Sequence, residues 1–193
     1  MRIIDISREL FRTPPYPGDT PPSLEFIRTM KDGAQSNTST LTVSSHGGTH
    51  MDAPLHFLEG GGDISSVPLR SGFGPCVVAE AVGEMSGDQM ERILQEASFP
   101  KRLLLKGHTT LSVEAAQIIA ETDAMLIGTE APSIASPEKT AAVHTELLSA
   151  GILVLENLDL TSVFPEDYIL CALPLKIRGA EASMVRAVLL TED

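Results

Sequence analysis

Apolar and polar positions divide the chain into a strand-rich first third and a middle where two periodicities alternate. Arg2–Ser7, Leu24–Met30 and Thr38–Ser45 read as short strands, separated by PPYPGDTPPS (14–23) and KDGAQS (31–36). The prolines of the first spacer forbid regular structure and fix a rigid loop. Further on, Pro75–Val82 reads as a strand, and SGDQMERILQEA sets Ser86 and Gln89 at capping-box spacing, so a helix begins there. Arg102–Lys106 predicts a strand, Val113–Glu121 a helix and Ala124–Gly128 another strand. SPEKTAAVHTELLSAG offers Ser136 as N-cap, Pro137 at the first helical position and Gly151 past the end. Ile152–Leu155, Tyr168–Ile177 and Ser183–Thr191 read as the remaining strands.

Strands alternating with helices through the middle imply right-handed crossovers and a largely parallel central sheet. The strand-only ends predict a second, more antiparallel layer. No repeat or low-complexity linker divides the chain, so residues 1–193 are expected to form a single α/β domain around one core.

Composition narrows the function. Hydrophobic residues make up 42% of the chain and charged residues 21%, which is ordinary for a globular protein. The net charge of −12 repels phosphate backbones and anionic lipid, so no nucleic-acid and no membrane partner is expected. No apolar run reaches eighteen residues, and the charged N-terminus MRIIDISREL does not read as a signal peptide. A cytoplasmic location follows as the default. Cys76 and Cys171 match no metal spacing and suit roles as small apolar side chains.

The candidate chemistry lies in SSHGGTHMDAPLHFLEG (44–60), which holds His46, His50 and His56 of the chain's five histidines, with Asp52 among them. A helical metal motif is excluded, because Gly47, Gly48 and Pro54 interrupt the turn and Asp52 falls about 200° round a helix from His50. An extended loop fits better, since positions 46, 50, 52 and 56 then point to one side. Imidazole and carboxylate donors suit Zn, Mn or Fe, and such a trio leaves positions open for water and substrate. Taken alone, the HxxxHxD pattern divides evenly between a metal site and ordinary histidines.

Two further residues tip that balance. His144 shares a helix face with Leu147 and Leu148 and by itself reads as a core histidine. Glu156 ends the apolar strand ILVLE, where a buried carboxylate needs a partner and where α/β proteins place their sites. A metal would satisfy both. The chain has no G-x-S-x-G nucleophile elbow, so Ser133 is assigned to structure, and His108 receives no role.

HGGTHMDAPLHF (46–57) resembles the signature of the cyclase-like metal-dependent hydrolases, whose best-known members are bacterial kynurenine formamidases (arylformamidases). YPGDTPP (16–22), IGTEAPSI (127–134), LLSAGILVLENL (147–158) and LPLKIRGAEASMVRAVLL (173–190) are similar to further family segments, in the same order. The resemblance implies a swivelling β/β/α domain that assembles as a homodimer or homotetramer. It implies His46, His50 and Asp52 as ligands of a first metal. Asp52 would bridge to a second metal completed by His144 and Glu156, the pair being zinc, with manganese or iron as alternatives.

His56 matches the catalytic histidine, a general acid/base, though an imidazole there could also be a ligand. Tyr16 stands where a substrate-packing tryptophan is usual. Glu130 and EASM (181–184) also depart from the family pattern. The implied activity is hydrolysis of a small amide, N-formylkynurenine first among substrates. The alternatives are another small or cyclic amide of the isatin type, or a catalytically silent metal-binding member.

Overall fold

The computed structural model describes residues 1–98 and 100–191. Its strands are β1 (Arg2–Asp5), β2 (Ser23–Arg28), β3 (Thr38–Thr42), β4 (His50–Asp52), β5 (Phe73–Glu80), β6 (Gly83–Met85), β7 (Arg102–Lys106), β8 (Thr109–Leu111), β9 (Leu126–Thr129), β10 (Leu153–Glu156), β11 (Asp167–Cys171), β12 (Ala182–Met184) and β13 (Val188–Thr191). The helices are α1 (Leu69–Gly72), α2 (Gly87–Glu96), α3 (Val113–Ala120) and α4 (Thr140–Ser149). Among the described residues, nine strands join one sheet in the order β1-β13-β11-β5-β7-β9-β10-β4-β12.

Its centre is the parallel run expected from the alternating periodicities: β5, β7, β9 and β10 pair in parallel. The strand-only ends are antiparallel as expected, but they do not form a separate sheet. They add antiparallel strands to both flanks of this same sheet, β11, β13 and β1 on one side and β4 and β12 on the other. Among the described residues, β2 and β3 stand apart as a two-stranded hairpin, and β6 and β8 as a short parallel pair. Local patterning cannot distinguish these arrangements, because every flanking strand pairs with residues distant in the chain.

Alternation along the central strands distributes the core over both faces. Leu103, Leu105, Ile127 and Val154 meet Met90 and Leu94 of α2, Ile119 of α3 and Leu147 of α4. Leu104, Leu126, Leu153 and Leu155 face the other way, toward Ile6, Met51, Leu170 and Leu189. The capping box of α2 forms as expected: Ser86 Oγ accepts from Gln89 N and Gln89 Oε1 accepts from Ser86 N. The start of α4 is displaced. Ser136 opens a turn, its carbonyl accepting from Lys139 N and Thr140 Oγ1, and the helix begins only at Thr140. The expected strand Tyr168–Ile177 is ordered as a strand only to Cys171, after which the backbone turns back toward β12. Among the described residues, no helix is long and apolar enough to cross a membrane.

Candidate metal centre

The register between β4 and β10 builds the centre. Asp52 pairs with Val154 and His50 with Glu156, so these side chains emerge on the sheet face covered by α4. Met51, the residue between, turns to the opposite core. His144 descends from α4 onto the same spot. Its Nε2 lies 3.3 Å from Glu156 Oε1 and 3.6 Å from Asp52 Oδ2.

His50–Asp52 is therefore a strand, not the loop expected from its glycine-rich surroundings. Its strand character comes from β10 on one side and β12 on the other. His46 precedes it in a tight turn, where Gly47 N donates to Ser44 O and Gly48 takes a φ of 62°. A side chain at position 47 would begin 2.5 Å from Val43 Cγ2, so the turn requires glycine. His56 follows on a 3-10 turn (Pro54–His56), which brings its ring centroid within 4.3 Å of that of His46 and 5.7 Å of that of His144.

The other five residues expected to bind metal or move protons thus surround Asp52. His46 Nδ1 is 3.1 Å and His50 Nε2 3.6 Å from Asp52 Oδ1, and His50 Nε2 is 3.3 Å from Glu156 Oε2. Two groups offer donor atoms within 4.8 Å of one another, His46–Asp52–His56 and His50–Asp52–Glu156. The shared member is Asp52. This grouping seats His56 beside His46 and leaves His144 against both carboxylates.

Asp52 is fully buried and Glu156 nearly so. His50 Nε2 and both Asp52 oxygens are buried with no aligned hydrogen-bond partner among the described residues. Leaving a buried carboxylate in that state costs several kcal/mol. Mixed imidazole and carboxylate donors around orphaned, inward-facing atoms fit a divalent cation of the Zn, Mn or Fe type.

Burial disfavours the charged His50 ring, but Glu156 and Asp52 outweigh it and lift the group to about 9. The same balance lifts His144 to about 10. Burial likewise opposes ionisation of Asp52, yet His144 and His46 hold its carboxyl well below the usual range. His56 moves the other way: burial lowers it, so its ring is neutral at pH 7.

A cavity of about 160 Å³ opens over the centre, lined by Tyr16, Asp19, His56, Phe57, Ser133 and Thr140 together with His46, His144 and Glu156. Tyr16 is exposed at its rim. Ser133, assigned to structure by the sequence, borders this space. Glu130 does not: it is buried and accepts from Gly107 N and Leu160 N, bracing two loops. Sequence reasoning missed Phe57, which stacks on His144 with ring centroids 4.6 Å apart, although it lies in the quoted motif. It also gave no role to Glu181, 3.4 Å from His46 Nε2. The carboxylate just before β12 was the available signal. His108 is exposed at a left-handed backbone position and lines none of this cavity.

Comparisons with known proteins bear on the family and the fold. The Cyclase family model matches residues 4–136. The chain is 38% identical over 202 residues to a kynurenine formamidase of Erythrobacter litoralis (strain HTCC2594), covering 97% of this chain and 93% of that protein. In fold it is similar to isatin hydrolase A from Labrenzia aggregata, with a TM-score of 0.86 at 20% identity over 99% of this chain and 94% of the other. It is also similar to a protein described as a potential metal-dependent hydrolase with cyclase activity, with a TM-score of 0.82 at 23% identity, covering 100% and 98%.

Proposed function

The chain belongs to the Cyclase family, and from that premise we propose that it is a metal-dependent amidohydrolase converting N-formylkynurenine to kynurenine and formate. The observation that carries this reading is the set of buried, unaligned donors around Asp52, opening into a cavity rimmed by an aromatic side chain. The identity shared with the Erythrobacter formamidase supports the substrate.

His46, His50 and Asp52 would hold one divalent ion, and Asp52, His144 and Glu156 a second, with zinc favoured by the imidazole-rich donor set. Such ions supply Lewis acidity and make water nucleophilic near neutral pH. The chain's own residues do the rest. His56, neutral at pH 7, accepts a proton from attacking water at a ring nitrogen and returns it to the departing aryl amine. Tyr16 and Phe57 flank the aryl group, and the cavity over the centre admits the formyl carbon.

We read the protein as one domain that forms a homodimer or homotetramer. Hairpin β2–β3 supports assembly: it exposes Leu24, Phe26, Ile27 and Leu41, and an isolated two-stranded hairpin is marginal in water. Light scattering checks this, with a monomeric mass as the contrary result. Two unpaired cysteines fit a reducing compartment such as the cytoplasm.

The deciding experiment measures turnover of N-formylkynurenine against isatin by metal-replete protein, alongside elemental analysis. The expected result is at least one transition-metal ion per chain and preference for the formanilide. Less metal than that after reconstitution removes the hydrolase mechanism; preference for isatin removes the substrate.

A further inference from the structure

Glu181 belongs to neither group of converging donors, yet it meets one of them from behind. His46 sits between two carboxylates, with Nδ1 3.1 Å from Asp52 Oδ1 and Nε2 3.4 Å from Glu181 Oε1. A neutral imidazole carries one N–H and one lone pair, and the partner of the N–H decides which nitrogen can bind a cation. His50 and His144 solve this with backbone. Their Nδ1 atoms lie 3.0 Å from Gly48 O and 2.8 Å from Thr140 O, which turns Nε2 toward the centre. His46 is mounted in reverse, with Nδ1 inward and Nε2 outward, where the Glu181 carboxylate lies at 3.4 Å as a charge contact.

The carboxylate is held in place for that task. Ser45 Oγ donates to Glu181 Oε1 at 2.6 Å. The Glu181 carbonyl accepts from Ala53 N at 2.8 Å, next to Asp52 in the chain. The turn before it is tied to Asp63, whose Oδ2 accepts from Gly179 N at 2.7 Å, and Ile64 N donates to Ala180 O at 2.9 Å. The Glu181 side chain is 38% exposed, so replacing it costs orientation rather than a buried charge.

We infer that Glu181 is a positioning residue: its carboxylate accepts the Nε2–H of His46 and fixes the tautomer that turns Nδ1 toward Asp52 and a bound divalent ion. The inference rests on the metal-dependent reading of this centre and adds to it a residue outside the donor set. By analogy with other partners of metal-binding histidines, its loss weakens metal binding by about 10–100-fold.

The test titrates wild type, Glu181→Ala, Glu181→Gln and Ser45→Ala with Zn²⁺ against a competing chelator, and records ¹⁵N shifts of His46 in the zinc-loaded protein. The expected outcome is weakening in that range for Glu181→Ala, most of it restored in Glu181→Gln, whose amide oxygen still accepts. Ser45→Ala weakens binding less, the metal-free melting temperature is unchanged throughout, and wild-type His46 is protonated at Nε2. Wild-type affinity in Glu181→Ala, or His46 protonated at Nδ1, overturns the inference while leaving the hydrolase reading intact. Should Glu181→Ala fail to fold, unchanged affinity in Ser45→Ala together with an Nδ1-protonated His46 does the same. A wild-type protein that takes up no Zn²⁺ overturns both.

Discussion

The two antiparallel flanks of the sheet share a pairing scheme and differ in what they bury. On one flank, β11 carries Tyr168 and Leu170, and β13 carries Leu189, into the core beside Ile6. On the other, β4 buries His50 and Asp52 beneath α4, with β12 paired along its outer side. Burying a leucine is worth roughly 1.5–3 kcal/mol, whereas burying an unaligned carboxylate is a cost of similar size or larger. The apolar flank therefore stabilises the sheet, and the polar flank is held in place by pairing with β10 until a cation satisfies it. Stability and chemistry occupy opposite edges of one sheet.

The largest effect that would break this contrast is at Asp52. Asp52→Ala should strip the metal and destabilise the metal-free chain by about 3–5 kcal/mol, since it leaves buried histidines without their counter-charge. Urea denaturation and elemental analysis check both; retained metal and stability would make the two flanks equivalent. His56→Ala should keep the metal and lower kcat by about 10²–10⁴-fold, as expected for a lost general base. Loss of metal in that variant would instead make His56 a ligand.

Leu170→Ala sharpens the comparison from the other side. It should cost about 2–5 kcal/mol of stability with metal stoichiometry unchanged. A smaller effect is pH-dependent. His50 and His144 sit above their ordinary 6.5, at about 9 and about 10, in the metal-free protein. Their contribution to stability is complete below 6.5 and is lost as pH rises through those values. Thermal melts of stripped protein should therefore fall between pH 7 and 10 while metal-loaded protein stays level; parallel curves would refute the linkage. Smallest of all, Tyr16→Ala should raise KM by about two- to tenfold, the loss of one aromatic contact, with metal content unchanged.

Much of this was legible in the chain, for local reasons. The α2 capping box needs only residues three apart, and RLLLK and LVLE declare buried parallel strands by their continuous apolar runs. The boundary of α4 was misread because Ser136 and Pro137 make a good helix start in isolation. In the folded chain Ile134 N is committed to Glu156 Oε1 at 2.7 Å, and Ser136 turns the chain before the helix begins. The segment His50–Asp52 looked like a loop because glycines and a proline surround it. It becomes a strand through partners about a hundred residues away.

By itself the sequence determined the donors and their neighbourhood: the imidazoles and carboxylate of 46–56, a histidine inside a helix and a glutamate closing a strand. Residue type and short spacing suffice for that, because donor chemistry is a property of side chains. Only the tertiary structure decided how they meet. The β4–β10 register sets His50 opposite Glu156 and Asp52 opposite Val154, under His144, and the β12 pairing brings Glu181 against His46. Those contacts join residues far apart in the chain, and strand register, which places a side chain on one face or the other, is fixed by the assembled core rather than by any local pattern.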